Sequence, residues 1–175
     1  PLYGWCNKNF KKNGEPYNVY TDGLKIYTSI DSRMQRYAEE ACHEHVAKTL
    51  QTAFFKEKKG RSDAPFSRLL SEEDINKILN RSIRQTDRWR NMSAAGYSED
   101  EIRKSFDVKH KMTLYSYNGE IDTLMTPLDS IKYYKHFLRC GFMSMDVRTG
   151  QVKAYVGGMD YGHFAYDMVG LGRRQ

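Results

Sequence analysis

The sequence predicts an α+β chain, and three observations carry that reading. Residues 24–30 alternate with the two-residue period of a strand. Two hairpin signals follow, one around Asn118-Gly119 and one around Val147-Arg148-Thr149-Gly150. Apolar stripes at helical spacing, each behind a capping residue, fill most of the remainder.

Taken in order, residues 1–20 open with a short amphipathic piece carrying Leu2, Trp5 and Phe10, then pass through the turn-rich Asn13-Gly14-Glu15-Pro16. After the turn Thr21-Asp22-Gly23, the residues Leu24, Ile26, Thr28 and Ile30 share one face of a strand over 24–30. Asp31 or Ser32 can cap the next helix, and Ser32-x-x-Gln35 has capping-box spacing. Its stripe of Met34, Tyr37, Ala38, Ala41, Cys42 and His45 drifts toward Val46, Leu50 and Phe54, which predicts a long or bent helix ending at Lys56-Glu57-Lys58-Lys59-Gly60.

Residues 56–110 are charged and strand-poor. Ser71, ahead of an acidic first turn, opens a helix with Ile75, Ile78 and Leu79; residues 81–92 also read as helix. Ser98-x-x-Glu101 is a second capping box, before Ile102 and Phe106. Residues 112–117 and 120–125 form the first hairpin, its Asn-Gly pair suiting a type I′ turn. Thr126 as N-cap and Pro127 at the first helical position start a helix through Tyr133, Tyr134 and Phe137 that stops at Gly141. The second hairpin, 142–146 with 151–156, ends at Gly157-Gly158, a pair suited to a bent strand end or a close backbone approach.

The 175 residues allow one domain or two small ones. With 13 Tyr, 8 Phe and 2 Trp the chain is too aromatic for a disordered segment, despite a mean hydropathy of -0.76. No run approaches the roughly 18–20 apolar residues that span a bilayer. Pro1 in place of Met, and the lack of a basic-then-apolar leader, read as a piece cut from a longer chain. The net charge of +6 admits nucleic acid, anionic lipid or an acidic polymer as partner.

Cys6, Cys42 and Cys140 lack C-x-x-C spacing, which argues against structural zinc. Two readings stay open: one long-range disulfide with a thiol left over, or, as the favoured reading, three buried or unpaired thiols. Cys42-His43-Glu44-His45 invites a metal reading, but the pair Cys42 and His45 falls short of a third ligand and H-E-x-x-H is missing, so a core cysteine beside a partly exposed histidine is preferred. Arg81, Arg84 and Arg88 fall on one face beside Trp89, as a phosphate-gripping stripe would. A solvated face offset by Asp74 and Asp87 is the plainer account, and no nucleic-acid module accompanies it. Gly170-Leu171-Gly172 lacks the context of a dinucleotide site. Spacing alone brings together no nucleophile, base and orienting acid, and it implies no cofactor.

Three stretches nevertheless resemble one family. Tyr27-Thr28-Ser29-Ile30-Asp31-Ser32-Arg33-Met34-Gln35 is similar to the "TTID…Q" opening of penicillin-binding transpeptidase domains. The stretch from Gly141 to Gly158, with Asp146-Val147-Arg148-Thr149-Gly150-Gln151-Val152 at its centre, resembles their "D-P-x-T-G-x-V-x-A-x-V-G-G" hairpin, Val147 standing where the family usually has Pro. Phe164-x-Tyr166-Asp167 with Gly172-Arg173-Arg174-Gln175 resembles the approach to the active serine. The order and rough spacing of the three agree with class A, bifunctional penicillin-binding proteins of the 1A type.

That resemblance implies the end of an interdomain linker (1–20), the first strand and helix of the transpeptidase domain (21–55), an inserted helical accessory domain with a β-hairpin (56–140), and a hairpin of an incomplete transpeptidase sheet leading to the active serine (141–175). The parent would be a peptidoglycan glycosyltransferase and penicillin-sensitive D,D-transpeptidase. The family's S-x-x-K follows R-Q, yet after Gln151 the sole Lys is Lys153, with no Ser three residues before it. No catalytic, cofactor or metal residue is therefore carried over, and this piece alone is expected to be inactive. The resemblance further implies a periplasmic setting, with the parent anchored to the membrane by an upstream helix. Partners would be peptidoglycan or its lipid-linked precursor through the parent, and a cell-wall regulatory protein at 56–140; nucleic acid is not expected, and a nucleic-acid-binding or scaffold role is the alternative. Exposed strand edges at 24–30 and 142–156 suggest self-association of the piece.

Overall fold

The computed structural model describes residues 2–170. A short helix, α1 (Leu2–Cys6), opens it and buries Cys6, while Trp5 rests on Tyr17 with ring centroids 5.5 Å apart. The Gly172-Arg173-Arg174-Gln175 stretch singled out above lies outside the described residues.

Residues 24–30, expected as a strand, form neither strand nor helix. A strand is held by a neighbour's N–H and C=O groups, and no described strand runs beside this segment; Tyr27 is 89% exposed. Only its end finds a partner. The Ser29 hydroxyl donates to the Val152 carbonyl at 2.7 Å, and the Asp31 N–H to the Lys153 carbonyl at 2.9 Å.

Asp31, rather than Ser32, caps helix α2 (Ser32–Cys42): its carboxylate accepts from the Arg33 and Met34 N–H groups at 2.9 and 3.1 Å. Gln35 is thus free of any capping box. The helix continues through π-helical turns over His43–Leu50 into α3 (Gln51–Lys58). The Gln51 N–H reaches back five residues to the Val46 carbonyl. These wider turns explain the drift of the apolar stripe. On a regular helix of about 3.6 residues per turn, Cys42 and Gln51 stand roughly two and a half turns apart and face opposite ways; the π turns rotate each residue less and bring them toward one side.

The helical run expected over 81–92 is broken. Helix α4 (Glu72–Arg84) ends and α5 (Asp87–Ala94) begins at Thr86, whose hydroxyl donates to the Ile83 carbonyl at 2.7 Å and accepts from the Trp89 N–H at 3.2 Å. This turn lets α6 (Glu99–Ser105), opened by the Ser98–Glu101 capping box, fold back. Ile83, Ile102 and Phe106 form their shared core, with Trp89, Met92, Leu128 and Ile131 packed against it.

Strands β1 (His110–Leu114) and β2 (Ile121–Met125) pair antiparallel, from His110 opposite Met125 to Leu114 opposite Ile121. The hairpin forms, but its turn is not type I′. Pairing stops at Leu114, Asn118 keeps a negative φ, and only Gly119 is positive at 108°. The physical reason is Tyr115, which leaves the ladder and is buried in an aromatic cluster with Phe137 and Phe164. Helix α7 (Pro127–Lys135) starts at Thr126 as expected and stops short of Gly141, because Phe137 turns into the same cluster.

Strands β3 (Phe142–Met145) and β4 (Val152–Val156) form the second hairpin. Asp146 organises its turn by accepting from the Arg148 and Thr149 N–H groups at 2.9 and 3.0 Å, and Gly150 supplies the positive φ of 70°. Helix α2 lies on β4, with Ala38, Ala154 and Val156 forming a small core and Cys42 beside it. The protein is therefore α+β, with two separate two-stranded antiparallel sheets among its described residues.

Candidate functional site

The informative region is the junction where the helix 32–58, the β3–β4 hairpin and the returning chain at 136–142 meet. Two glutamines hold it. Gln35 sits opposite the outer edge of β4: its Oε1 accepts from the Tyr155 N–H at 2.8 Å and its Nε2 donates to the Tyr155 carbonyl at 2.9 Å. The second Nε2 hydrogen goes to Glu39 at 2.7 Å. Gln51, 1% exposed, donates to the His136 carbonyl and accepts from the Leu138 N–H, both at 2.9 Å. A buried amide satisfied on both sides is a strong positional constraint.

Around Gln51 the aromatic cluster fixes the returning chain. The Tyr117 hydroxyl donates to the Leu138 carbonyl at 2.8 Å, and the Tyr133 hydroxyl to the Tyr115 carbonyl at 2.8 Å. Phe137 contacts Tyr115, Tyr117 and Tyr133 with centroids 5.1 to 5.5 Å apart, mostly edge-to-face. Arg139 stacks over Phe164 at 4.4 Å. Burial pushes the Tyr117 phenol up to about 12.

A cavity of about 530 Å³ opens between Glu39, Cys42 and His43 of the helix and residues 155–167. Asp167 closes one wall. It accepts from the Tyr155 hydroxyl and from the Val169 and Gly170 N–H groups at 2.9 and 3.1 Å, and these bonds, the Tyr155 one foremost, hold its carboxyl below the usual range. Asp167 is a staple, not a free base. It comes so close to Gly157 that a Cβ there would lie 2.9 Å from its Oδ1. The close contact at the glycine pair is thus with the Asp167 side chain, while the Met168 N–H donates to the Gly157 carbonyl at 2.7 Å. Gly141 is as tight, since a Cβ would meet Val169 Cγ2 at 2.7 Å.

The residues marked in the sequence are dispersed. His45 is exposed on the π turns, while Cys42 is half-buried beside β4. Arg81 and Arg84 end α4 but Arg88 belongs to α5, so no continuous stripe exists. Arg84 is held by both carboxylate oxygens of Glu99 at 3.1 Å and stacks on Trp89 at 5.2 Å, with Arg103 also 5.9 Å from that ring. Trp89 is thus packed between cations of its own helices. Gln51 escaped the sequence reading because a lone glutamine in a helical stripe carries no signal until its distant partners are known.

Residues 61–138 match the family model of the penicillin-binding protein middle domain. The match supports reading the chain as a fragment of a penicillin-binding protein, a family of extracytoplasmic enzymes. No curated protein and no solved structure matches the chain significantly. Among the described residues no helix is long and apolar enough to cross a membrane.

Proposed function

We propose that the chain is a non-catalytic section of a class A, bifunctional peptidoglycan synthase of the 1A type, in which residues 56–140 are an inserted domain with a spacer and docking role. The observation that carries this reading is the bond between Gln51 and Leu138. The chain departs after α3 and returns to the same helix 87 residues later, the path of an insert placed within a helix–hairpin unit. The middle-domain match falls on the departing stretch and supports the same division. In the parent one domain would polymerise glycan strands and another cross-link their peptides, outside the cytoplasmic membrane; the insert would set their spacing and face wall polymer, lipid-linked precursor or a regulatory protein. Its mixed charges, with Arg84 paired to Glu99 at the surface and Arg103 bonded to Asn80, favour spacing and docking over direct glycan binding.

The test is a fluorescent penicillin added to the 175-residue chain and to a parent protein extended by roughly 200–300 residues, one domain's span. Serine acylation of the longer protein alone is expected. Labelling of the shorter chain, or none of the longer, overturns the reading. We also infer self-association of the 175-residue chain through the open edge of β3, where Phe142, Met143 and Met145 are about half exposed. A clean monomer by light scattering at high concentration counts against it.

A further inference from the structure

Three sulfur-bearing side chains gather at the junction. The Cys140 thiol donates to Met159 Sδ at 3.4 Å, and Cys42 lines the same cavity as Met159. Cys140 lies between two anchored points that both touch the helix near Cys42. On one side is Leu138, held by Gln51 and by Tyr117, whose ring meets that of His43 edge-on at 6.1 Å. On the other is Phe142, opposite Val156 in the hairpin, which shares an apolar groove with Cys42. The two thiols are close enough to interact electrostatically, and both are free. Cys6 is buried on α1 and takes no part.

We propose that Cys42 and Cys140 are a disulfide-forming pair, which on oxidation ties the segment returning from the middle domain to the helix that carries Gln35 and Gln51. The oxidant is a disulfide donor, R–S–S–R. Cys42, which opens on the cavity, attacks one donor sulfur as the thiolate, forming a mixed disulfide and releasing one R–S⁻. The Cys140 thiolate then attacks Cys42 Sγ; the Cys42–Cys140 bond forms and the second R–S⁻ leaves. The donor has taken up two electrons and the two thiol protons and departs as two R–SH. An extracytoplasmic setting, part of the reading above, would supply such a donor; the pairing itself rests on the geometry. Burial, and then the neighbouring Cys42, push the Cys140 thiol up to about 11, so ring closure quickens as pH rises.

The full chain is incubated with oxidised glutathione near pH 8, alkylated in denaturant and mapped without reduction. Expected are a cross-linked peptide joining Cys42 to Cys140, one alkylated thiol at Cys6, and a Tm raised by roughly 5–10 °C and restored by dithiothreitol, as a long closed loop should give. Cys6→Ser should behave in the same way, whereas Cys42→Ser and Cys140→Ser should show no such rise. Three alkylated thiols, glutathione adducts without a cross-link, or a bridge to Cys6 would each overturn the proposal, whether or not penicillin labels the parent.

Discussion

Gln35 and Tyr155 pair as neighbouring strands do, side-chain amide against backbone amide, although 120 residues separate them. The outer edge of β4 receives an amide group where a third strand would otherwise lie. The helix is thereby fixed along the hairpin, and not merely packed on it.

Replacing Gln35 with Leu should remove both bonds and leave a strand edge to water. The expected cost is about 1–3 kcal/mol, or a Tm lowered by roughly 3–9 °C. Thermal unfolding followed by near-UV dichroism checks this. An unchanged Tm would show that packing of Ala38 on Ala154 alone holds the helix.

Gln51→Leu should cost more, about 2–5 kcal/mol, because the His136 carbonyl and Leu138 N–H would be left buried without partners. Limited proteolysis should then cut faster within residues 136–141. Cleavage that speeds up elsewhere but not there would contradict the clamp.

Tyr117 predicts an alkaline limb of stability. Its folded pKa is raised to about 12, above the ordinary value, so the fold prefers the neutral phenol. That contribution is fully present below about pH 10 and is lost as pH rises toward 12. Tyr117→Phe should flatten part of this limb in denaturant melts from about pH 9 to 12. Tyr115 and Tyr133, raised by the same burial, should leave the remainder.

On the acid side the sign reverses. Asp146 is held below the usual carboxylate range by the Arg148 and then the Thr149 N–H groups, and Asp31 by those of Met34 and Arg33. Their stabilisation is present above about pH 4 and fades as pH falls through the lowered values. Asp146→Asn should make the acid limb shallower between about pH 4 and 2, as read by urea melts.

In the helical core, Ile102 and Phe106 are 1% and 2% exposed. Phe106→Ala should cost about 3–5 kcal/mol and Ile102→Val about 0.5–1.5 kcal/mol. Hydrogen exchange should quicken in α4 to α6 before it does in β3 and β4, because the two regions have separate cores.

Much of the local capping chemistry was readable from neighbouring residues. Ser71, Ser98 and Thr126 cap their helices as their spacing foretold. Several of the failures depended on distant partners. Leu24, Ile26 and Ile30 alternate as a strand should, but alternation names a face and cannot supply the neighbouring chain. Tyr115 reads as part of the ladder over 112–117 until Phe137 and Phe164, far along the sequence, claim it. Thr86 was legible in principle, since a threonine inside an expected helix can equally well start a new one. Of the junction, a special role for Gly157-Gly158 was expected, though not the approach of the Asp167 side chain, and the Gln51 bonds were not foreseen.

The π turns over His43–Leu50 give the long helix a phase as well as a length. Everything beyond them is rotated relative to what precedes them, and it is this offset that turns Gln51 toward Leu138 while Cys42 still faces β4. A change in residue number within those turns would act like slipping a gear: one deletion would swing α3 by about 100° and point its buried amide away from the chain it holds. Substitutions there should be tolerated far better than a single deletion.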